Sequence, residues 1–188
     1  MGHFEFSTFP ILETKRLKLR QIVAADAHSW AEALNHPDVM RYLIDFEQDT
    51  VDLDDVYGII QWADNIFEQK TGLRWAITLK PDDTMIGSCG FHLYNQAQRC
   101  AEVGYELHQL YWRQGIMKEA LGAILDFCFQ RLNLHRVEAD VTVGNEASAG
   151  LLQHMGFSLE GTWRDKAFAR GKFHDLWQFG LLEGEIFS

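Results

Sequence analysis

The chain of 188 residues carries a formal net charge of −10, from 27 acidic and 17 basic residues. This excess of acid argues against direct binding to nucleic acid, because phosphate binding needs clustered lysine and arginine side chains. It would suit a cationic substrate, although solubility alone also accounts for it. Hydrophobic residues make up 47% of the chain and charged residues 23%, which is typical of a globular protein with a substantial core.

The length suits one domain, residues 1–188. No apolar run approaches the ~20 residues that cross a bilayer, and the first ten residues lack the features of a signal peptide. We therefore expect a cytoplasmic protein with no membrane partner. The three cysteines are widely spaced and are not at zinc-ligand spacing, so we expect buried free thiols and no metal site: Cys89, Cys100 and Cys128.

Apolar residues alternate with charged ones over about Thr14–Ile22, which predicts a first strand. A helix is predicted to begin at Asp26 and to break before Pro37, since proline cannot continue a helix. A short helical piece around Val39 to Leu43 should follow.

The stretch from Asp45 to Asp55 is rich in acid and precedes an apolar helical pattern that runs from Val56 to Phe67. These acids could cap that helix and complement its dipole. They could also form an acidic rim for a cationic acceptor, and the two interpretations are compatible. Gly72 should end the helix.

The second half of the chain alternates between strand and helix patterns. Strands are predicted at about residues 75–79, 85–93, 101–107 and 136–143, helices at 116–132 and from Asn145 to Met155, and a final strand pair around Arg170-Gly171. These elements predict an α+β fold with a mixed sheet flanked by helices.

The strand at residues 103–107 leads through a glycine turn into a strongly amphipathic helix. Backbone N–H groups at a helix N-terminus lack partners and lie at the positive end of the helix dipole, so they can hold an anion. Gly115 would let the backbone approach that anion closely. We expect the pyrophosphate of a coenzyme on the backbone of six residues: Arg113, Gln114, Gly115, Ile116, Met117 and Lys118. A strand–turn–helix without a ligand would show the same pattern.

Three blocks of sequence carry a family resemblance. They are residues 104–120 with YWRQGIMKEA at their end, residues 134–157 with LHRVE, NEAS and MGF, and residues 160–175 with EG and RGKFHD. Together they resemble the Gcn5-related N-acetyltransferases (GNAT), and within them the RimJ/RimL type of ribosomal-protein N-terminal acetyltransferase. The resemblance covers essentially the whole chain.

The resemblance implies a centrally splayed sheet, acetyl-CoA as the acetyl donor and a primary amine as the acceptor, and family members are often homodimers. The pantetheine arm of the coenzyme would lie between the splayed strands. The N–H of Leu107 would stabilise the tetrahedral oxyanion, Asn145 would contact the pantetheine arm, and Ser148 would protonate the leaving thiolate. N-capping of the following helix is the alternative role of Asn145 and Ser148.

The group that takes the proton from the acceptor is left open between His92, Glu102, Glu106 and a water molecule. Each of the three side chains also has a structural alternative, and Ala167 stands where some members of this branch carry a glutamate. A peptide α-amine has a pKa of about 7.7–8.0 and needs little help to lose a proton, whereas a lysine at about 10.4 needs much more. These grounds favour a protein N-terminus as the acceptor, with a ribosomal protein among the candidates. A small amine (a polyamine, an amino acid or an antibiotic) and a weakly catalytic acyl-CoA-binding module are the alternatives.

Two residues of the turn depart from the family pattern. Trp112 stands where the loop often begins with Gln or Arg, and Met117 stands where Gly or Ala is common. We expect Met117 to crowd the loop more than glycine would.

Overall fold

The computed structural model describes residues 5–185. Eight strands form one sheet in the order β1-β2-β3-β4-β5-β6-β8-β7. Their bounds are β1 Leu12–Glu13, β2 Leu17–Gln21, β3 Leu73–Leu79, β4 Met85–Asn95, β5 Cys100–Leu107, β6 Arg136–Thr142, β7 Ser158–Ala169 and β8 Lys172–Leu182.

Helices cover both faces of the sheet. They are α1 Ala27–Leu34, α2 Pro37–Met40, α3 Leu53–Glu68, α4 Ile116–Gln130 and α5 Glu146–His154, with 3-10 turns at Ala24–Asp26 and Gln109–Tyr111. The larger core packs α4 and α5 against one face. A second core packs α1, α2 and α3 against the other face. No helix among residues 5–185 is both long enough and apolar enough to cross a membrane.

The alternation along β5 divides its side chains between these two faces. Ala101, Val103 and Leu107 lie in the core under α4. Glu102 and Glu106 therefore point to the face that carries α1 and α3. This division places the candidate chemical groups on two different sides of one strand.

The sheet is mixed because β5 and β6 run parallel while the other neighbouring strands run antiparallel. The β5–β6 ladder extends from Cys100 opposite Arg136 to Glu102 opposite Glu138 and stops there. Beyond that point the two strands separate, and the rest of β5 faces a gap. The predicted α+β class and the predicted central splay are both confirmed.

Several predicted boundaries move by a few residues. The first long strand begins at Leu17 because Thr14 turns the chain and donates to Glu119 Oε1 at 2.5 Å. The short helix α2 begins at Pro37, which suits the first helical position because that position needs no N–H donor. Asp52 caps α3 by accepting from the Asp55 N–H at 2.9 Å, so the capping interpretation holds for this end of the acidic stretch.

Candidate active site

The turn before α4 has the backbone of an anion site. Gly115 lies in the left-handed region with φ of 71° and is the N-cap of the helix, and Arg113 is also left-handed with φ of 58°. The first helical hydrogen bond returns from the Glu119 N–H to the Gly115 carbonyl at 3.1 Å. Among residues 5–185, the N–H groups of Arg113, Gln114 and Gly115 find no acceptor. The six predicted residues from Arg113 to Lys118 are therefore brought together with unpaired donors available for an anion.

Arg16 supports this turn from the β1–β2 connection, a role that the sequence analysis missed. Its guanidinium donates to the Gln114 carbonyl at 2.8 Å and to Glu119 Oε2 at 2.6 Å. Hydrogen bonds from Thr14 and Arg16 keep the pKa of the Glu119 carboxyl below its usual value although burial acts in the opposite direction. The sequence offered one signal for this contact. A basic residue, Arg16, lies in the first strand block, and an acidic residue, Glu119, lies in the first turn of α4.

The expectation that Met117 would crowd the loop is wrong. Ile116 and Met117 are 3% and 8% exposed and pack into the core under α4, so only their backbone faces the turn. Trp112, the other departure from the family pattern, donates its indole N–H to the Leu107 carbonyl at 2.8 Å. This bond ties the end of β5 to the start of the turn.

Leu107 presents its backbone N–H to the gap between β5 and β6. Leu107 lies opposite Gly87, and the ladder bond at this point is made by the next residue, His108, whose N–H donates to the Ile86 carbonyl at 2.8 Å. Leu107 and Gly87 are therefore a non-hydrogen-bonded pair, in which the backbone groups point away from the partner strand. Beyond Glu102 no β6 residue pairs with β5, so this N–H is free to act on a bound group.

Ser148 lies on the α4 side of the gap and is held by two neighbours. Asn145 caps α5 by accepting from the Ser148 N–H at 3.2 Å. The hydroxyl of Tyr105 lies 2.7 Å from Ser148 Oγ. Burial raises the pKa of Tyr105, so this phenol stays protonated and can donate to Ser148 Oγ. The hydrogen of Ser148 is then left for another acceptor.

His92 and Glu102 face each other on the opposite side of the sheet. They are register partners on β4 and β5, and His92 Nε2 lies 3.3 Å from Glu102 Oε1. Glu106, the third proposed base, is 8% exposed and is engaged by three structural partners. Trp30 donates to it at 2.9 Å, and Arg74 and Ser88 also bind its carboxylate. Its oxygens are occupied in the core, which leaves His92 and Glu102 as the candidates from the sequence.

Asp140 lies on the same face as His92 and Glu102 and is close enough for their charges to affect it. This residue was not singled out from the sequence. It lies on β6 two residues beyond Glu138, which is the last residue paired with β5. Burial, and then the neighbouring charge of Glu102, raises the pKa of Asp140 to about 6. The signal was available in the alternation of β6, which buries Val137, Ala139 and Val141 and so places the acids between them on the opposite face. Within the described chain, no group of three or more His, Cys, Asp and Glu side chains is arranged to hold a metal ion.

A family model for the acetyltransferase (GNAT) domain matches residues 16–158. The chain belongs to the GNAT acetyltransferase family. The match includes the turn, the splayed strands and the start of α5 described above. The protein is thus an acetyltransferase, and acetyl-CoA is the donor that GNAT acetyltransferases use.

Relatives agree with this assignment along most of the chain. The uncharacterized N-acetyltransferase YoaA of Bacillus subtilis is 36% identical over 177 residues, which cover 93% of this chain and 98% of that protein. The ribosomal-protein-serine acetyltransferase of Escherichia coli is 27% identical over 112 residues, 60% of this chain and 63% of that protein. The structure of RimL, a ribosomal L7/L12 alpha-N-protein acetyltransferase in complex with coenzyme A, superposes with a TM-score of 0.80 at 20% identity, and covers 92% of this chain and 98% of that one. This last likeness establishes the shared GNAT fold.

Proposed function

We propose that this GNAT enzyme transfers the acetyl group of acetyl-CoA to the N-terminal α-amine of a protein. The observation that carries the proposal is the gap between β5 and β6. The Leu107 N–H opens into it, the Ser148 hydroxyl lies on its α4 side, and Glu102 and Asp140 lie on its other side. A donor and an acceptor that approach from opposite faces of the sheet would meet at that N–H.

The donor side suits coenzyme A. The unpaired N–H groups from Arg113 onward would hold the pyrophosphate, and the unpaired edges of β5 and β6 would pair with the amide-like pantetheine arm. Asn145, at the start of α5, would contact that arm. The Leu107 N–H would donate to the thioester oxygen, and its bond would strengthen as that oxygen gains charge in the tetrahedral intermediate.

Ser148 would protonate the thiolate as it leaves. A thiol has a pKa of about 8.5, so a hydroxyl of ordinary acidity is sufficient for this task. The Tyr105 hydroxyl lies 2.7 Å from Ser148 Oγ, and when it donates to that oxygen the Ser148 hydrogen is directed away from Tyr105.

The acceptor side favours an α-amine over a lysine. Its candidate bases are His92, Glu102 and Asp140, and none is a strong base. An α-amine with a pKa of about 7.7–8.0 is within reach of such groups, whereas a lysine at about 10.4 loses a proton far less readily.

An acidic loop adds to this preference. Asp45, Glu47 and Asp49 are exposed on the connection from α2 to α3. That connection reaches the far end of β6, where the Thr142 hydroxyl donates to the Tyr42 carbonyl at 3.1 Å. The loop would attract the basic N-terminal segment of a ribosomal protein, the class on which the Escherichia coli relative acts by its name.

A thiol-release assay with acetyl-CoA tests the proposal. Peptides beginning with serine or alanine are compared with the same peptides carrying a blocked N-terminus and one internal lysine, and with polyamines, amino acids and aminoglycosides. We expect kcat/KM for the free N-terminus to exceed that for the blocked lysine peptide by at least about 100-fold, given the difference in amine pKa. If the enzyme acetylates only a small amine, that amine is the acceptor and the assignment to a protein N-terminus is wrong. If acetyl-CoA binds but no amine is acetylated, the protein is a binding module.

Three further properties stay predictions. We propose that residues 1–188 act as one acetyltransferase domain, that the protein works in the cytoplasm, and that it forms the homodimer that is frequent in the family.

A further inference from the structure

Three acids lie on the acceptor face around the point where β5 and β6 separate, and they differ in their partners. Glu102 is paired with His92, and Glu138 accepts from Arg136 at 2.8 Å. Asp140 has no ion-pair partner among the described residues. It also lies two residues further along β6 than Glu138, the last residue paired with β5, on the open side of the split.

Two buried polar atoms on this face have no hydrogen-bond partner in residues 5–185, and they are Asp140 Oδ1 and His92 Nδ1. Buried polar atoms are nearly always satisfied, so each orphan needs an explanation. The Nε2 of His92 lies beside the Glu102 carboxylate, which favours the hydrogen on Nε2 and leaves Nδ1 as an acceptor. Both orphans are then acceptors, and a primary ammonium carries three N–H donors.

We propose that Asp140 is the catalytic base that takes the proton from the acceptor ammonium, while the His92–Glu102 pair positions that ammonium beside it. This inference rests on the proposed function only in requiring an amine acceptor. Asp140 then takes the task for which the sequence had suggested His92, Glu102 or Glu106. Glu102 becomes a positioning residue because its carboxylate is already engaged by His92 Nε2 at 3.3 Å.

The proton and electron changes balance. The ammonium gives one proton to the Asp140 carboxylate, and the freed nitrogen lone pair forms the C–N bond to the thioester carbon. The C–S bond breaks as the tetrahedral intermediate collapses, and the thiolate takes a proton. The nitrogen loses its second proton in the same step, which offsets the one on the thiol, and the proton on Asp140 returns to solvent.

The charges that surround Asp140 suit this role. Burial raises its pKa first, followed by the charge of Glu102 on β5, while Glu138 on its own strand adds to the rise. Lys166 on β7 and His92 on β4 act in the opposite direction. With a pKa of about 6, Asp140 is ionised at pH 7 and is still a stronger base than an ordinary aspartate.

The test is the pH profile of kcat/KM for Asp140→Asn, which reports ionisations of the free enzyme and the free amine, measured with the amine that the wild-type enzyme acetylates fastest. We expect the wild-type rate to fall below a pH near 6 as Asp140 becomes protonated. In the variant this acid limb of the profile, the pH range over which the rate falls, should move to the pKa of the amine, about 7.7–8.0 for a peptide. Without Asp140 only the neutral amine can attack. The variant should be about 100-fold slower at pH 6.5 and should recover most of its rate at pH 9. A purely structural role would lower the rate by the same factor at every pH.

Glu138→Gln is the matched control, because it removes a neighbouring acid from the same face and strand. We expect its kcat to stay within about threefold of wild type, with the acid limb moved slightly down because Glu138 raises the pKa of Asp140. Asp140→Glu should restore part of the rate and the acid limb near its wild-type position. An Asp140→Asn variant with the wild-type pH profile would overturn the proposal.

The proposal can fail separately from the acceptor assignment. If the enzyme acetylates a polyamine and no peptide, the Asp140 profile is measured on the polyamine, and only the α-amine assignment is lost. If no amine is acetylated, a carbon-13 titration of the Asp140 carboxyl in the full chain decides. A pKa of Asp140 near 6 that falls in Glu102→Gln supports the proposed arrangement of Asp140 beside Glu102. An ordinary aspartate pKa of about 3.9 refutes it.

Discussion

In the proposed mechanism, the two faces of the sheet at the β5–β6 split would handle different parts of the reaction with different kinds of groups. On the α4 side the groups are backbone N–H donors and two hydroxyls, those of Tyr105 and Ser148. On the α1 and α3 side they are the ionisable side chains of His92, Glu102 and Asp140. A donor with fixed phosphate and amide groups can be held by a fixed backbone, whereas an ammonium that must lose a proton needs groups that titrate. Substitutions on the two faces should therefore have separable effects.

The largest expected effect tests the donor face at Gly115. Gly115→Glu should weaken acetyl-CoA binding by at least about 100-fold, since it places a negative charge at the pyrophosphate and strains a residue with φ of 71°. Calorimetric titration with acetyl-CoA measures this loss. Gly115→Asn is the matched control for strain, because asparagine tolerates a left-handed backbone and is neutral. Gly58→Glu adds the same charge at an exposed position with open space around it, and it should bind normally. Full affinity in Gly115→Glu would mean that the phosphates lie elsewhere.

Ser148 should change the rate without changing donor binding. Ser148→Ala is expected to lower kcat by about 30-fold and to change the acetyl-CoA Kd by less than about threefold. Tyr105→Phe, which removes only the hydrogen bond to Ser148, should lower kcat by about fivefold. Ser148→Thr keeps a hydroxyl and should retain most of the rate. Equal losses in rate and affinity for Ser148→Ala would assign Ser148 to binding alone.

Arg16 should affect the donor through the shape of the turn. Arg16→Ala removes the bonds to the Gln114 carbonyl and to Glu119, and we expect acetyl-CoA affinity to fall by about tenfold. Arg131→Ala removes an exposed arginine at the other end of α4 and serves as the control for net charge. If both variants weaken binding equally, the effect is long-range electrostatics and the turn needs no support from Arg16.

The smallest expected effect is on the stability of the acceptor face. The pKa of Asp140 is about 6 in the folded protein against about 3.9 in the unfolded chain. The fold therefore favours the neutral carboxyl, and stability is lost as the pH rises from 4 to 6. After allowance for the partial exposure of this residue, Asp140→Asn should be more stable than wild type by about 1 kcal/mol at pH 8.

Urea unfolding at pH 8 and pH 4 measures this difference. The stabilisation should disappear at pH 4, where the wild-type carboxyl is already neutral. A gain that is the same at both values would point to a change in packing and away from an ionisation.

The groups that the sequence predicted well are mostly local. The turn at Gly115, the cap at Asn145 and the strand end at Leu107 depend on neighbours within a few residues, and each lies where the periodicity placed it. The interpretation of Met117 failed because its side chain direction depends on α4 packing against the sheet. Glu106 could not be separated from Glu102 by pattern alone, since both alternate to the same face and only Trp30, Arg74 and Ser88 distinguish them.

What the sequence determined by itself was the order of elements, the α+β class and the glycine turn, because hydrophobic period and backbone preference act over short stretches of chain. The family came from the resemblance of three blocks of sequence. Only the tertiary structure decided which charges meet. Arg16 reaches Glu119 across 103 residues, and His92, Glu102 and Asp140 come from three different strands. A pKa depends on burial and on charges close in space, and both are properties of the folded sheet. For that reason Asp140 emerges as the candidate base only after β6 has been placed beside β5.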